Sequence, residues 1–356
     1  MKVNFHKKLL LKSTYLLVGI LLILFLPDSA KSQEIDTTKK GIDYIGHYLL
    51  YRNHDTSYIK NYSQKISAKL VAINKYNYFN IIDRKNKTSV KYVPLRDVSL
   101  GLGVAYKWFA LDLTFSLGLN KNSDFENTRS FDFQGSMFSS KQFITFVLQY
   151  YQAYELSNMK GVDVNLSEDI KRREDIRTIN LGLQYMFATN YTKFSLKAPF
   201  VQNEGQRKSA GSPIVGASFN IFVMDADSSI VPQEVAEYFS PVLYLTDLNI
   251  LSASLSFGYM YSFVYKKRFF LTLSLIPGVN ISSGDYYTDS RQYSPLSIHL
   301  KLNSKNAIGY NSIKFFAGFQ FLADAYFSSF EKKLLAEIGH GKLSLFIGYR
   351  FGKKKN

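Results

Sequence analysis

Residues 99–119, "SLGLGVAYKWFALDLTFSLGL", carry a large apolar side chain at every second position and something polar or tiny between. Leu100, Leu102, Val104, Tyr106 and Trp108 take the even positions, against Ser99, Gly101, Gly103, Ala105 and Lys107. From Phe109 the phase flips. Leu111, Leu113, Phe115, Leu117 and Leu119 are now odd, with Ala110, Asp112, Thr114, Ser116 and Gly118 between them. Strand side chains alternate between the two faces of a sheet, so the pattern predicts two strands joined by a tight reversal within 107–110.

The same arrangement returns in "NILSASLSFGYMYSFVYKKRFFLTLSLIPGVN", 249–280. Leu251, Leu255, Phe257, Tyr259, Tyr261 and Phe263 share one face, opposed by Ser252, Ser254, Ser256, Gly258 and Ser262. After "YKKR", Leu271, Leu273 and Leu275 oppose Thr272 and Ser274. Bulky apolar residues on one face and small polar ones on the other describe a strand with lipid outside and a wet or tightly packed lumen inside. Strand length separates this from a soluble sandwich. Runs of ten or more alternating residues exceed the usual five or six and match the roughly 9 to 11 tilted residues that cross a bilayer. On this reading Leu102→Arg damages insertion, whereas Gly103→Ser is mild.

Composition agrees with an all-β, single antiparallel transmembrane β-barrel. Tyr and Phe number 26 and 29, against 8 Pro and one Trp, an enrichment suited to strands and aromatic girdles. There is no Cys, which excludes disulfides, thiolate metal sites and a lipidated cysteine. Residues 1–32 read as a cleavable export signal: Lys2, Lys7, Lys8 and Lys12, then "TYLLVGILLILFLP", then "SAKS" with small residues at Ala30 and Ser32. The rival reading is an uncleaved anchor, because the apolar run is long for a signal. Five lysines and one aspartate leave with this segment, lowering the formal charge from +16 to +12. The remaining basic residues are scattered through turns and strands, which argues against nucleic acid and for a solvated rim or anionic lipid head groups.

Residues 33–63 are polar and mixed, a lead-in in which "YIGHYLLY" reads as a plug or helix; the barrel is expected over 64–351, with 352–356 a basic tail. Thirteen strand-like runs are visible, among them 88–106 and 192–201. Single-chain bacterial barrels use even numbers, so one run is misread. The suspect is 224–246, which has a short helical pattern and breaks the alternation of short and long loops. Twelve strands are expected, with ten or fourteen as alternatives. "YKWF", "SSK", "FATN" and "YKKR" read as short turns, and "NKNSDFENTRS" and "SNMKGVDVNLSEDIKRRED" as long loops at the opposite end. The last run, "GKLSLFIGYRF", puts Leu343, Leu345, Ile347, Tyr349 and Phe351 on one face. It resembles the C-terminal signal read by barrel-assembly machinery, although "GKKKN" follows Phe351.

Three stretches, "DTSYIKNYSQKISAKLVAINKYNYFNIID" (55–83), "LGLGVAYKWFALDLTF" (100–115) and "FATNYTKFSLKAPFVQNEGQRKSAGSPIVGASF" (187–219), together resemble an exported outer-membrane β-barrel family, the domain of unknown function four-four-two-one. The most specific part is Gln202 to Ser212, where Gly205 replaces the Trp expected from the family pattern. The resemblance implies an outer-membrane barrel of a Gram-negative envelope and supplies no activity.

Little in the chain points to catalysis. No HExxH, EF-hand or phosphate-loop pattern occurs, "GLGVAY" is glycine alternation in a strand, and scattered Asp and His show no metal-ligand spacing, so no cofactor or metal is expected. His6 leaves with the signal, His47 and His54 lie in the lead-in, and His340 reads as the turn before the last strand. His299 with Ser297 is the one strand pair that offers the residue types of a lipid hydrolase on a barrel wall, and residues two apart share a face in any strand. Lys107, Asp112, Lys197, Lys301, Lys314 and Arg350 are expected in the lumen, where an excess of positive charge biases an open pore toward anions; in a closed barrel the same groups pair internally. Gln202, Glu204, Gln206, Arg207, Lys208 and Ser209 form a candidate polar loop, either a constriction or docking surface, or a tight loop tied by a Glu204 pair with Arg207 or Lys208 and by backbone freedom at Gly211. Three functions are carried forward: passage or binding of a small anionic or amphipathic solute, a partner-binding scaffold in envelope assembly, and a lipid-modifying enzyme.

Overall fold

A computed structural model describes residues 54–94, 98–106, 109–116, 129–139 and 141–352. The expected signal segment, "YIGHYLLY", Lys107, most of the 120–130 loop and the tail beyond Gly352 lie outside the described residues.

Ten antiparallel strands close into a ring. In chain order they are β2 (Ile66–Asp83), β3 (Thr88–Pro94), β7 (Gln142–Lys160), β8 (Arg172–Ala188), β10 (Ala210–Asp225), β11 (Asp247–Tyr265), β12 (Phe269–Tyr287), β13 (Arg291–Asn311), β14 (Phe315–Glu331) and β15 (Leu334–Phe351). β15 closes the ring on β2, in unbroken register from Leu334 opposite Asp83 to Phe351 opposite Ile66. Three further strands, β4 (Ser99–Tyr106), β5 (Phe109–Ser116) and β6 (Arg129–Phe138), extend the wall at one end, β4 and β5 from β2 and β6 from β7. A two-stranded ribbon, β1 (Ile59–Asn61) with β9 (Glu204–Gln206), is separate.

The closed ring has ten strands, the lower of the two alternatives to the expected twelve, with further strands beside it. The run 88–106 is two strands divided after Pro94, which has no N–H to extend a ladder. β3 pairs with the far half of β2 (79–83) and β4 with its near half (67–73), so the two share one edge of a single long strand. The run 192–201 is no strand. Phe194, Leu196 and Phe200 are spaced like one because they bury into an inward-folded loop, 189–209, which also means "FATN" is the start of that loop and not a short turn. The suspected stretch 224–246 is not the source of the odd count: its first two residues end β10, and 226–246 is a loop with 3-10 turns at Gln233–Tyr238 and Pro241–Leu243.

The faces follow the alternation. On β11, Leu255 is 72 % exposed and Phe257, Tyr259 and Phe263 also point outward, whereas Ser252, Ser254, Ser256 and Ser262 are buried. Two of them make interstrand hydrogen bonds, Ser262 with Thr272 at 2.7 Å and Ser254 with Asn280 at 2.6 Å. A closed wall covered in exposed Leu, Ile and Phe is one that lipid solvates and water does not. The hairpin of 99–116 is present, with Tyr106 opposite Phe109.

Leu102 is 63 % exposed on the outer wall. Leu102→Arg should therefore cost about 2 to 4 kcal/mol near the membrane midplane and lower the folded yield in lipid vesicles, read as heat-modifiable gel migration. An unchanged yield would put Leu102 outside the lipid. The mild outcome expected for Gly103→Ser is revised: a Cβ there would come 2.2 Å from Asp112 Oδ1 and 2.4 Å from Lys69 Cε, so their ion pair must shift. Both atoms end flexible side chains, so this variant should still fold better than Leu102→Arg.

The two ends differ. One has the chain entry into β2, the exit from β15, and the tight turns 266–268 and 312–314, with Lys266 and Lys267 at φ 49° and 59°. The other carries the loops 161–171 and 226–246. The second loop folds back over its end of the barrel, burying Ile230, Val231, Val235, Phe239, Leu243 and Leu245 against Phe79, Tyr92, Tyr154, Phe222, Tyr326 and Phe330. Tyr92 donates to the Ile230 carbonyl at 2.5 Å, and Arg173, paired with Asp175, donates to the Ser229 carbonyl at 2.7 Å.

Candidate functional site

The loop 189–209 occupies the tight-turn end from inside. Its one-turn helix, Lys197–Phe200, is wholly buried, and Gln202, at φ 62°, takes the left-handed position that terminates the turn, with its N–H bonded to the Lys197 carbonyl at 2.9 Å. Strands from opposite sides of the ring hold it. Gln320 on β14 donates to the Pro199 carbonyl at 2.8 Å, Asn311 on β13 to the Glu204 carbonyl at 2.9 Å, and Phe200 stacks on Phe138 and Phe143.

Arg350, near the end of β15, is the principal clamp. It is 1 % exposed. Its guanidinium donates to the carbonyls of Gln202 and Ser312 and to Asn311 Oδ1 at 2.7 Å, and lies 4.3 and 4.5 Å from the ring centres of Tyr62 and Phe316. Burial raises the Tyr62 phenol above its usual range, against the smaller opposing pull of that guanidinium. The ring therefore stays a neutral face for the cation.

The candidate polar loop thus divides. Gln202, Glu204 and Gln206 are buried inside the plug, whereas Arg207, Lys208 and Ser209 sit at its rim. The expected Glu204 pair with Arg207 or Lys208 is corrected: Glu204 takes the Ser195 hydroxyl at 2.6 Å and Lys197 Nζ at 3.7 Å. Gly211 is an ordinary strand residue, required for space, since a Cβ would come 2.5 Å from the Tyr259 and Tyr261 rings. A Cβ at Gly205 would come 2.9 Å from the Tyr62 ring, so the Trp of the family pattern would displace that ring.

The lumen charges are also redistributed. Lys197 belongs to the plug and not to a strand wall, and Lys314 is exposed in the 312–314 turn, which corrects both. Lys301 and Asp112 do face inward, each in an ion pair: Lys301 with Asp324 at 2.8 Å and Asp112 with Lys69 at 3.0 Å. A third pair, Lys75 with Asp132 at 3.2 Å, is reinforced by Gln149 at 3.0 Å and by the Tyr151 hydroxyl. Asp324 also accepts from Asn303 at 2.5 Å and Gln184 at 2.7 Å. His340, expected in a turn, lies within β15 facing inward, between Asp324 on β14 and Asn77 on β2. Ser297 bonds to Ser282 at 3.0 Å and accepts from the Ser329 N–H at 3.2 Å, so its hydroxyl is committed to a structural ladder and not to His299.

Between plug and cap the interior is not filled. A cavity of about 530 Å³ lies where β5 and β6 should meet. Among the described residues β5 pairs with β4 alone and β6 with β7 alone, leaving two facing strand edges without a partner. Lys69, Lys75, Asp112, Asp132 and Lys342 make one side of the cavity polar, and Phe133, Phe138, Phe200 and Phe316 make another apolar. Sequence alternation shows which residues face inward; it does not show which of them an inserted loop will cover.

Three solved structures share the barrel outline at low similarity. The outer membrane protease OmpT from Escherichia coli is 7% identical, with 82% of this chain and 98% of that one covered and a TM-score of 0.37. The attachment invasion locus protein Ail of Yersinia pestis is 10% identical, with 80% and 99% covered and a TM-score of 0.17. The P. putida toluene transporter TodX is 7% identical, with 87% and 97% covered and a TM-score of 0.20. At these values none of their activities transfers. No curated protein of established function is significantly similar in sequence. Residues 53–351 match the family described as Domain of unknown function (DUF4421), and the chain belongs to that family.

Proposed function

We propose that this protein is an outer-membrane barrel that binds a small amphipathic solute in the cavity beside the β5–β6 seam, and that it is not a water-filled pore. The observation that carries the reading is the cavity itself, lined by charged residues and by aromatic rings, beside β5 and β6, which among the described residues do not pair with each other. Pockets that orient a ligand pair apolar lining with a few polar groups in this way. A pore reading is disfavoured by the inserted plug at one end and the apolar cap at the other. The tight turns 266–268 and 312–314 on one side, against the longer loops 161–171 and 226–246 on the other, support the first side facing the periplasm.

Planar bilayers holding the folded barrel should remain without conductance steps, and a neutral solvatochromic amphiphile should bind saturably. Ser136, on the cavity wall, gives the control. Ser136→Trp should abolish saturable binding while the barrel still folds. Ion conductance in the native protein, or probe uptake no greater than partition into lipid alone, would remove this reading.

A further inference from the structure

Five lysines and three carboxylates meet in the interior of the barrel: Lys69, Lys75, Lys301, Lys305 and Lys342, with Asp112, Asp132 and Asp324. The three carboxylates are taken by Lys69, Lys75 and Lys301. Among the described residues, Lys305 and Lys342 have no ion-pair partner. Lys305 is 4 % exposed, and its ammonium lies 4.6 Å from the Phe143 ring centre. The nearby Asp324 already holds Lys301, Asn303 and Gln184. Lys342 faces Asp112 and Asp132, both already occupied. The two lysines flank Leu322 in one row across β13, β14 and β15, so they look into the same space.

That space is a second, smaller chamber of about 40 Å³, and it shares Gln134, Ser136, Leu322 and Lys342 with the seam cavity. Three buried polar atoms on its wall have no hydrogen-bond partner: Asn220 Nδ2, Thr145 Oγ1 and His340 Nδ1. Two uncompensated cations beside unused N–H and O–H donors are a costly arrangement unless an acceptor with negative charge completes it. The volume suits about three water-sized groups, the size of a carboxylate.

We propose that the chamber is the head-group site of a carboxylate-bearing amphiphile, with Lys305 and Lys342 binding the carboxylate, Asn220 and Thr145 donating to it, and the chain lying in the seam cavity. This rests on the amphiphile-binding reading above and adds the charge and place of the head. The test uses the full barrel in phosphatidylcholine nanodiscs, with empty nanodiscs as reference. The probes are a radiolabelled long-chain carboxylic acid, the alcohol and the alkyl phosphate of the same chain, and free acetate.

The acid should bind at least about tenfold more tightly than the alcohol, as expected for one or two charge-assisted hydrogen bonds. Lys305→Met and Lys342→Gln should each remove the preference for the acid over the alcohol. Replacing an unpaired buried lysine by methionine is not expected to unfold the barrel, and heat-modifiable migration verifies the fold of both variants. Equal binding of acid and alcohol would overturn the head-group site while sparing amphiphile binding. Preference for the alkyl phosphate would overturn the carboxylate assignment, acetate binding as tightly as the long-chain acid would overturn the amphiphile, and no binding of any probe would overturn both readings.

Discussion

Asp324→Ala should destabilise the folded barrel by about 3 to 5 kcal/mol, the range found when one partner of a buried ion pair is removed. Lys301 is 1 % exposed and has Asp324 as its ion-pair partner. Truncation strands that ammonium and also deprives Asn303 and Gln184 of their acceptor. The loss should be read from the urea midpoint of the heat-modifiable form in detergent micelles. A double variant, Lys301→Met with Asp324→Leu, supplies the decisive comparison. It removes both charges and fills similar volume, so it should recover the part of the loss that comes from the stranded ammonium, while the part that comes from the two amides deprived of their acceptor remains. If Asp324→Ala unfolds at the same urea concentration as the native protein, the interior at this level is hydrated and the ion pair contributes little.

This network marks the boundary of what the sequence discloses. The period of two in 99–116, 247–287 and 294–304 is a property of the backbone, so the inward set, with Ser254, Thr272 and Lys301 among it, is readable from spacing alone. Pairing is a property of neighbours that the chain brings together from far apart. Lys75 meets Asp132, and Lys301 meets Asp324, only once the register between strands is fixed. The same limit explains the misread stretch 192–201. Phe194, Leu196 and Phe200 alternate as a strand would, yet they bury from a loop, because an inserted segment inside a barrel has an apolar surface to cover as well. Strand number failed for a related reason. Whether β4 and β3 count as one strand or two depends on both of them finding room along the 18 residues of β2.

Arg350→Ala should loosen the plug and lower stability by about 3 kcal/mol, the cost of charge-assisted bonds lost and carbonyls left without a donor. The side chain is expected to matter twice. Its guanidinium bridges the strand wall to the Gln202 carbonyl, so it fixes the loop in depth. It also secures a backbone held at φ 62°, a conformation that a residue other than glycine keeps only when its surroundings enforce it. Without the clamp, Gln202 should relax and the segment 195–206 should become cleavable by protease added from the tight-turn side, with brief conductance events where the native protein is expected to give none. Arg350→Lys separates charge from geometry. A lysine keeps the cation but lacks the planar fork that reaches Gln202, Ser312 and Asn311 while lying between Tyr62 and Phe316, so it should rescue only part of the stability. Full rescue by lysine would mean that positive charge alone holds the plug. Undiminished protection of 195–206 in Arg350→Ala would shift the holding force to Gln320, Asn311 and the Phe200 stack, and the plug would then be a permanent floor of the binding cavity.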